Sequence, residues 1–173
     1  MTWYVLLIVA VAVERLAELV VARRNMAWSL ARGGVEYGAG HYPFMVVLHT
    51  GLLVGCVVEV AVLERPFIPI LGWPMLAIAL AAQALRWWCI ATLGHQWNTR
   101  VVVVPGASRI ANGPYRRIPH PNYVAVVAEG LALPLVHTAW ITALAFTVLN
   151  AALLRTRIRT ESAALAGLAA HPI

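Results

Sequence analysis

The residues best suited to chemistry lie in one stretch, residues 113–129, which reads GPYRRIPHPNYVAVVAE. Pro121 directly follows His120, and proline is favoured in the first turn of a helix because its missing N–H would be unpaired there anyway. We therefore predict a helix that starts at Pro121, with His120 at its cap and Tyr123 one turn further on the same face. The free N–H groups and positive dipole end of such a helix favour a bound carboxylate. Glu129 lies deeper in the apolar run that follows.

A second pair of reactive side chains lies near the end of the chain. Arg157 and Glu161 are four residues apart, so on a helix they share one face. The guanidinium of an arginine can hold an anionic group with two parallel hydrogen bonds, and a glutamate can pair with an ammonium. We predict that the last helix folds back so that this pair meets His120.

The composition indicates a membrane protein. Of the 173 residues, 61% are hydrophobic and only 12% are charged, which is too apolar for a soluble domain. Every basic residue is Arg and every acidic residue is Glu. The net charge of +6 raises the possibility of nucleic-acid binding, but the arginines flank apolar runs, so membrane orientation explains them better. We expect the bilayer as a partner and no nucleic acid.

The apolar runs predict an all-α integral membrane protein with about five transmembrane helices and a C-terminal helical hairpin. A span needs roughly 20 apolar residues, and the chain has one domain, residues 1–173, with three N-terminal spans in residues 1–93. Residues 94–173 form a cofactor-binding loop, the hairpin and a tail. The predicted spans cover residues 3–22, 44–63, 70–93, 120–136 and 138–154.

The distribution of arginine predicts the orientation. Three connecting or terminal segments are arginine-rich, whereas the opposite side carries only Arg65. The rule that positive loops remain in the cytoplasm then places the N-terminus outside and the C-terminus and cofactor pocket in the cytoplasm. Charges inside the first span interrupt it too strongly for a signal peptide.

Charged side chains inside the predicted spans are expected to pair. Glu14, Arg15 and Glu18 predict an ion cluster that holds helices together. Arg86 is expected to stack on a neighbouring tryptophan or to pair with Glu59, and a buried Glu129 is a further candidate partner for it. Cys56 and Cys89 fall in apolar runs and are expected to be reduced, and the sequence contains no metal-binding spacing.

The stretch GPYRRIPHPNY, followed by Glu129, Arg157 and Glu161, resembles the C-terminal core of the isoprenylcysteine carboxyl methyltransferase family. The resemblance covers roughly residues 94–165. It implies a small membrane enzyme that uses S-adenosylmethionine (SAM). Where the family has an Arg before the His, this chain has Pro119, which implies an altered pocket or a compensating Arg116 or Arg117.

The resemblance also implies roles for individual residues. Arg157 would bind the acceptor, and His120 or Glu129 would serve as a general base if the acceptor needs one. The implied cofactor-binding residues are Ala107, Ser108, Arg109, Ile110, Tyr115, His120, Pro121, Asn122, Tyr123 and Glu161.

The implied reaction is direct methyl transfer to a lipidic acceptor. A carboxylate is already nucleophilic, so alignment of the two reactants supplies most of the rate. The first span and the stretches WNTRVVVVPG and HPNYVAVVAEGLALP look most like a bacterial, inner-membrane branch associated with type III polyketide synthases. The acceptor would then be either a prenylcysteine carboxylate or a hydroxyl of a long-chain alkylpyrone or alkylresorcinol.

Two other functions stay open at this point. A sterol-reductase-like membrane enzyme has a similar C-terminal hairpin and would use NADPH, with Arg116 and Arg117 anchoring its extra phosphate. A non-catalytic membrane scaffold or small transporter would bind no cofactor, and replacing His120 or Glu161 would change no activity.

Overall fold

Five α-helices dominate the computed structural model, within the part of the chain that it describes. That part is residues 1–108 and 110–170, with side chains up to Ala164. The helices are α1 (Thr2–Leu30), α2 (Tyr42–Val62), α3 (Pro69–Leu93), α4 (Pro121–Leu135) and α5 (Trp140–Ala170). Helix α4 packs against α3 and α5, and α5 also packs against α2. The predicted hairpin of α4 and α5 is confirmed.

Three helical segments are long and apolar enough to cross a membrane: Ala39–Val62, Pro69–Gln96 and Trp140–Ala164. Five spans were predicted. Helix α4 has 15 residues, which is about 22 Å of helix and shorter than the hydrocarbon core of a bilayer. Helix α1 is long, but it carries a cluster of charged residues in its middle. It also continues seven residues beyond Arg23, where the sequence predicted its end to lie.

A small antiparallel sheet joins two connectors, which corrects the prediction of an all-α fold. Strand β1 (Val35–Tyr37) pairs with β2 (Val101–Val103), with Val35 opposite Val103. Val101 and Val103 are buried, so this strand packs its alternate side chains into the protein. The sheet ties the connector after α1 to the connector after α3.

The apolar core lies where α1, α2, α4 and α5 meet, and Tyr4 is its largest fully buried side chain. The Tyr4 hydroxyl donates a hydrogen bond of 3.0 Å to the Leu133 carbonyl, so the only polar atom of that side chain is satisfied. Glu59 accepts hydrogen bonds from the N–H groups of Ile141 and Thr142 at 3.2 and 2.7 Å. It thereby caps the start of α5.

The close approach of α4 and α5 depends on Gly130. A Cβ at this position would lie 2.0 Å from Cε1 of Phe146, a ring that is itself buried. We expect Gly130→Ala to lower the free energy of unfolding by about 1–3 kcal/mol, because the ring has no room to move. Thermal unfolding of the detergent-purified protein measures this.

The control is Gly51→Ala in α2, where an added Cβ meets nothing within 4 Å. Alanine there should leave stability unchanged or raise it by about 0.5–1 kcal/mol through helix propensity. Equal stability of the two variants would contradict the packing argument.

Candidate active site

A polar cavity of about 140 Å³ lies at the start of α4, between α5 and strand β2. Its polar lining includes His120, Asn122 and Tyr123 from α4 and its cap, and Arg157 and Glu161 from α5. The full lining is Leu93, Gln96, Trp97, Asn98, Arg100, Val101, Val102, Val103, Tyr115, His120, Asn122, Tyr123, Arg157 and Glu161. The last helix therefore folds back onto the start of α4, as the sequence predicted.

Three side chains in this cavity contact one another. The Tyr123 hydroxyl donates a hydrogen bond of 2.6 Å to Glu161 Oε2, and His120 Nδ1 lies 3.8 Å from Glu161 Oε1. The rings of His120 and Tyr123 are stacked, with centroids 5.3 Å apart. Glu161 remains about one-third exposed, so its carboxylate is open to a cationic ligand group.

The N-terminus of α4 is open. The N-cap is His120, and its side chain makes no capping hydrogen bond. Pro121 has no N–H, and the N–H groups of Tyr123 and Val124 donate to the His120 carbonyl at 3.1 and 3.3 Å. The Asn122 N–H is therefore the one in this turn without a partner among the described residues. Asn122 Oδ1 is buried and has no hydrogen-bond partner among the described residues. Tyr115 also lines this cavity, and burial raises the pKa of its hydroxyl, so it stays a hydrogen-bond donor. The Asn122 N–H and the Tyr115 hydroxyl can donate to a ligand carboxylate, and Asn122 Oδ1 can accept from a ligand N–H or O–H.

A second, larger cavity of about 350 Å³ extends from the polar cavity between α1, α2 and α5. Most of its lining is apolar, and its inner part also includes charged side chains. The full lining is Ala12, Arg15, Leu16, Glu18, Leu19, Tyr42, Met45, Val46, His49, Thr50, Leu53, Arg86, Trp97, Asn98, Thr99, Asn122, Tyr123, Val126, Asn150, Leu153, Leu154 and Arg157. The leucines of this set match a hydrocarbon chain.

The two cavities share one wall, formed by Trp97, Asn98, Asn122, Tyr123 and Arg157. Trp97 and Arg157 are almost fully buried in it, at 3% and 7% exposure. The two cavities therefore adjoin at these five side chains. We refer to this set of five residues below as the shared wall.

Arg157 is held in the shared wall by the backbone and by an aromatic ring. Its Nη1 donates a hydrogen bond of 3.0 Å to the Thr99 carbonyl and contacts Met45 Sδ. Its guanidinium lies 5.7 Å from the centroid of the Tyr123 ring. The buried Nε has no partner among the described residues, so a donor is left for an anionic ligand.

Glu129 lies away from the shared wall. It follows Pro121 by eight residues in α4, about 12 Å along the axis. Its carboxylate accepts hydrogen bonds from Arg15 and, at 2.5 Å, from Arg86. The structure thus brings together His120, Tyr123, Arg157 and Glu161, whereas Glu129 belongs to an ion cluster.

The ion cluster joins α1, α3 and α4. Arg15 pairs with Glu18 at 2.7 Å, and Arg86 Nε lies 3.4 Å from Glu18. The cluster in α1 and the pairing of Arg86 with Glu129 are confirmed. The alternative pairing of Arg86 with Glu59 is wrong, because Glu59 accepts instead from Arg65 at 3.1 Å and caps α5.

The segment that the resemblance marked at residues 107–110 lies outside both cavity linings as far as it is described. Ala107, Ser108 and Ile110 do not line either cavity, although the Ser108 carbonyl accepts a weak hydrogen bond from Gln96, a lining residue. Arg109 lies outside the described residues. Pro121 is buried at the helix start. Among the described residues no group of three or more His, Cys, Asp or Glu side chains is arranged to hold a metal.

Sequence reasoning missed several side chains of the two cavities. Asn98 lies in the shared wall, and its Oδ1 is buried without a partner among the described residues. His49 lines the apolar cavity from α2. The available signal for His49 was an ionisable residue inside an apolar span, which marks a functional candidate.

Comparison with known proteins identifies one family whose model matches this chain. The model of the isoprenylcysteine carboxyl methyltransferase family matches residues 75–167. A Bacillus subtilis (strain 168) protein named YpbQ, described as uncharacterized, is 38% identical over 161 residues, which cover 92% of this chain and 95% of YpbQ. An uncharacterized Haemophilus influenzae protein is 24% identical over 157 residues, covering 89% of this chain and 90% of that protein. No solved structure matches the chain. Neither relative's name states an acceptor, so nothing here supports the polyketide-associated branch in particular.

Proposed function

We propose, from the premise that the chain belongs to the isoprenylcysteine carboxyl methyltransferase family, that it is a membrane O-methyltransferase using SAM and a lipidic acceptor. The observation that carries the proposal is the shared wall between a polar and an apolar cavity. A direct transfer needs two reactants in contact but held in different surroundings. The polar cavity would hold SAM and the adjoining apolar cavity would hold the acceptor.

The polar cavity has the groups that SAM would need. The Asn122 N–H at the positive end of α4 would donate to its carboxylate, and Glu161 would pair with its ammonium. Tyr115, Tyr123 and Trp97 offer aromatic faces to the sulfonium or the adenine. When bound, SAM supplies an activated methyl group. The chain itself supplies binding, orientation and exclusion of water.

The apolar cavity would hold the acceptor. Leu16, Leu19, Leu53, Leu153 and Leu154 would contact its hydrocarbon part. Arg157 would bind the reacting oxygen, because its free Nε lies in the shared wall. Both candidate acceptors, a prenylcysteine carboxylate and a hydroxyl of a long-chain polyketide, have such an oxygen and such a chain.

The proposed location is a bacterial inner membrane, with the N-terminus outside and the C-terminus and site in the cytoplasm. The support for this orientation is the distribution of arginine between the connectors. The reductase interpretation needed Arg116 and Arg117 at the cofactor. Both are exposed and outside the lining of the polar cavity, so we do not favour it.

The test is transfer of a labelled methyl group from SAM by the detergent-purified full chain. A prenylcysteine analogue and an alkylresorcinol are offered in parallel, and binding of SAM and of NADPH is measured separately. We expect SAM binding and methylation of at least one acceptor. Binding of NADPH but not SAM, or of neither, would overturn the proposal.

Glu161→Gln should weaken SAM binding by about 10- to 100-fold, because a neutral amide replaces the carboxylate opposite the ammonium. Titration calorimetry measures the dissociation constant. The control is Glu64→Gln, an exposed carboxylate in the turn after α2, which should leave the constant unchanged. Equal affinity of Glu161→Gln and the unaltered chain would remove Glu161 from the cofactor site.

A further inference from the structure

We propose that His49 is the proton acceptor for a hydroxyl-bearing acceptor molecule in the apolar cavity. The inference rests on the proposed methyltransferase function and deepens it, because it selects between the two acceptor classes. The residue lies in the middle of α2 and lines the apolar cavity but not the polar one.

The hydrogen bonding of His49 fixes its tautomer. Nδ1 lies 2.8 Å from the Met45 carbonyl oxygen, and a carbonyl can only accept, so Nδ1 carries the ring proton. The other nitrogen, Nε2, then presents a lone pair. No described residue donates a hydrogen bond to it. The ring is fixed further by an edge-to-face contact with Phe146, with centroids 5.4 Å apart and planes at 87°.

His49 lies one helical turn from a residue that contacts the shared wall. Met45 precedes it by one helical turn on the same face, and Met45 Sδ contacts the Arg157 guanidinium. One turn is about 6 Å along the helix axis. A polar group of the acceptor that lies between these levels would reach Arg157 on one side and His49 Nε2 on the other.

The charged side chains around the inner part of the cavity carry both signs. Arg15, Glu18 and Arg86 line the cavity with His49. Together with Glu14 and Glu129 they form one network. Its three carboxylates outnumber its two guanidiniums by one, so the formal charge of the network is negative. At His49 itself, the guanidiniums of Arg86 and Arg15 oppose a positive charge and the Glu129 carboxylate favours one, so the ring rests neutral with its lone pair available.

The two bases suggested by the sequence are placed less well for this step. His120 lines the polar cavity and stacks on Tyr123, which is the cofactor side of the shared wall. Glu129 accepts hydrogen bonds from Arg15 and Arg86 and lines neither cavity. Among these three groups only His49 has a free lone pair in the acceptor cavity.

In the proposed step, the acceptor loses a proton to His49 as it gains the methyl group. The acceptor O–H bond breaks and its proton goes to His49 Nε2, while the oxygen forms a bond to the methyl carbon. The carbon–sulfur bond breaks with its electron pair going to sulfur, which leaves a neutral thioether. The imidazolium then loses the proton to water. A phenol or enol needs this base, whereas an ionised carboxylate does not.

The experiment compares the unaltered full chain with His49→Gln on a series of alkylphenols of decreasing pKa and on a prenylcysteine analogue. Glutamine keeps a polar side chain but cannot take a proton. For a simple alkylphenol we expect kcat/KM to fall by about 10²-fold. For an alkylnitrophenol that is ionised at the assay pH, we expect the two proteins to agree within about threefold, because no proton remains to be removed. The dissociation constant for SAM should be equal in both.

The outcomes separate the two proposals. An equal loss on every acceptor, irrespective of its pKa, would show a structural role and overturn the assignment of His49. So would an unaltered chain that methylates only the carboxylate, although the methyltransferase function would then stand. A chain that binds no SAM and methylates nothing would fail on both. If His49→Gln does not fold, His49→Phe keeps a ring against Phe146 and removes the same lone pair.

Discussion

Replacing Glu129 by glutamine should lower the free energy of unfolding by about 1.5–3 kcal/mol, the usual contribution of buried hydrogen bonds to a charged group. Glu129 is 4% exposed and accepts hydrogen bonds from Arg15 in α1 and Arg86 in α3. The neutral amide would weaken the hydrogen bonds from the partly buried Arg15 and the buried Arg86, whose remaining counter-charges are Glu18 and Glu14. Because these pairs join three helices, the loss should appear as a lower midpoint of denaturation in detergent.

The control for this prediction is Glu36→Gln. Glu36 pairs with Arg100 at 3.0 Å on the small sheet, where both side chains are partly open to solvent. An exposed pair of this kind contributes less than about 1 kcal/mol. A fall in stability for Glu129→Gln no larger than that of Glu36→Gln would show that the buried cluster does not hold the helices together.

The sequence predicted the local features of the site well because they depend on short-range rules. Pro121 set the start of α4 and made His120 its cap, as the N-terminal preference of proline requires. The spacing of Arg157 and Glu161 placed both on one face of α5. The predicted span at residues 120–136 agrees with a helix that ends at Leu135. Each of these inferences involves residues within one or two turns of each other.

Features that depend on helix packing were harder to predict. Arg86 had several acidic partners within reach, and only the packing of α3 against α4 and α1 selects Glu129 and Glu18 over Glu59. The pairing of β1 with β2 places Glu36 opposite Val102, which lies 66 residues later in the chain. Neither connector alone predicts which segment it pairs with. The shared wall likewise combines residues from α4, α5 and the connector after α3.

The structure also changes which residue is the best base. From the sequence, His120 and Glu129 were the candidates because they lie in the motif that carries the resemblance. The position of a lone pair relative to a cavity is a property of the tertiary structure. His49 became the better-placed base through its position in the lining of the apolar cavity and its contact with the Met45 carbonyl. In the proposed function, the motif thus marks the cofactor side of the site, whereas α1 and α2 would form much of the acceptor side.

Arg157→Ala should lower kcat/KM for methyl transfer by about 10²–10³-fold, the usual cost of removing a fixed donor from a reacting oxygen. Its guanidinium lies in the shared wall, and its Nε is unpartnered among the described residues. Since the proposal assigns the ammonium of SAM to Glu161 and its carboxylate to the start of α4, the dissociation constant for SAM should change much less. Arg157→Lys keeps the charge but loses the planar fork, so we expect it to recover only part of the rate.

Helix α5 provides matched controls, because Arg155 and Arg159 flank Arg157 and are both exposed. Arg155→Ala and Arg159→Ala remove the same side chain from the same helix without touching the wall. They should leave kcat/KM within about twofold of the unaltered chain, as surface substitutions generally do. If all three arginine variants lose activity equally, the effect comes from the net charge of α5 at the membrane surface and not from a bond to the acceptor. A loss confined to Arg157 and accompanied by unchanged SAM binding requires that this guanidinium act on the acceptor side of the wall.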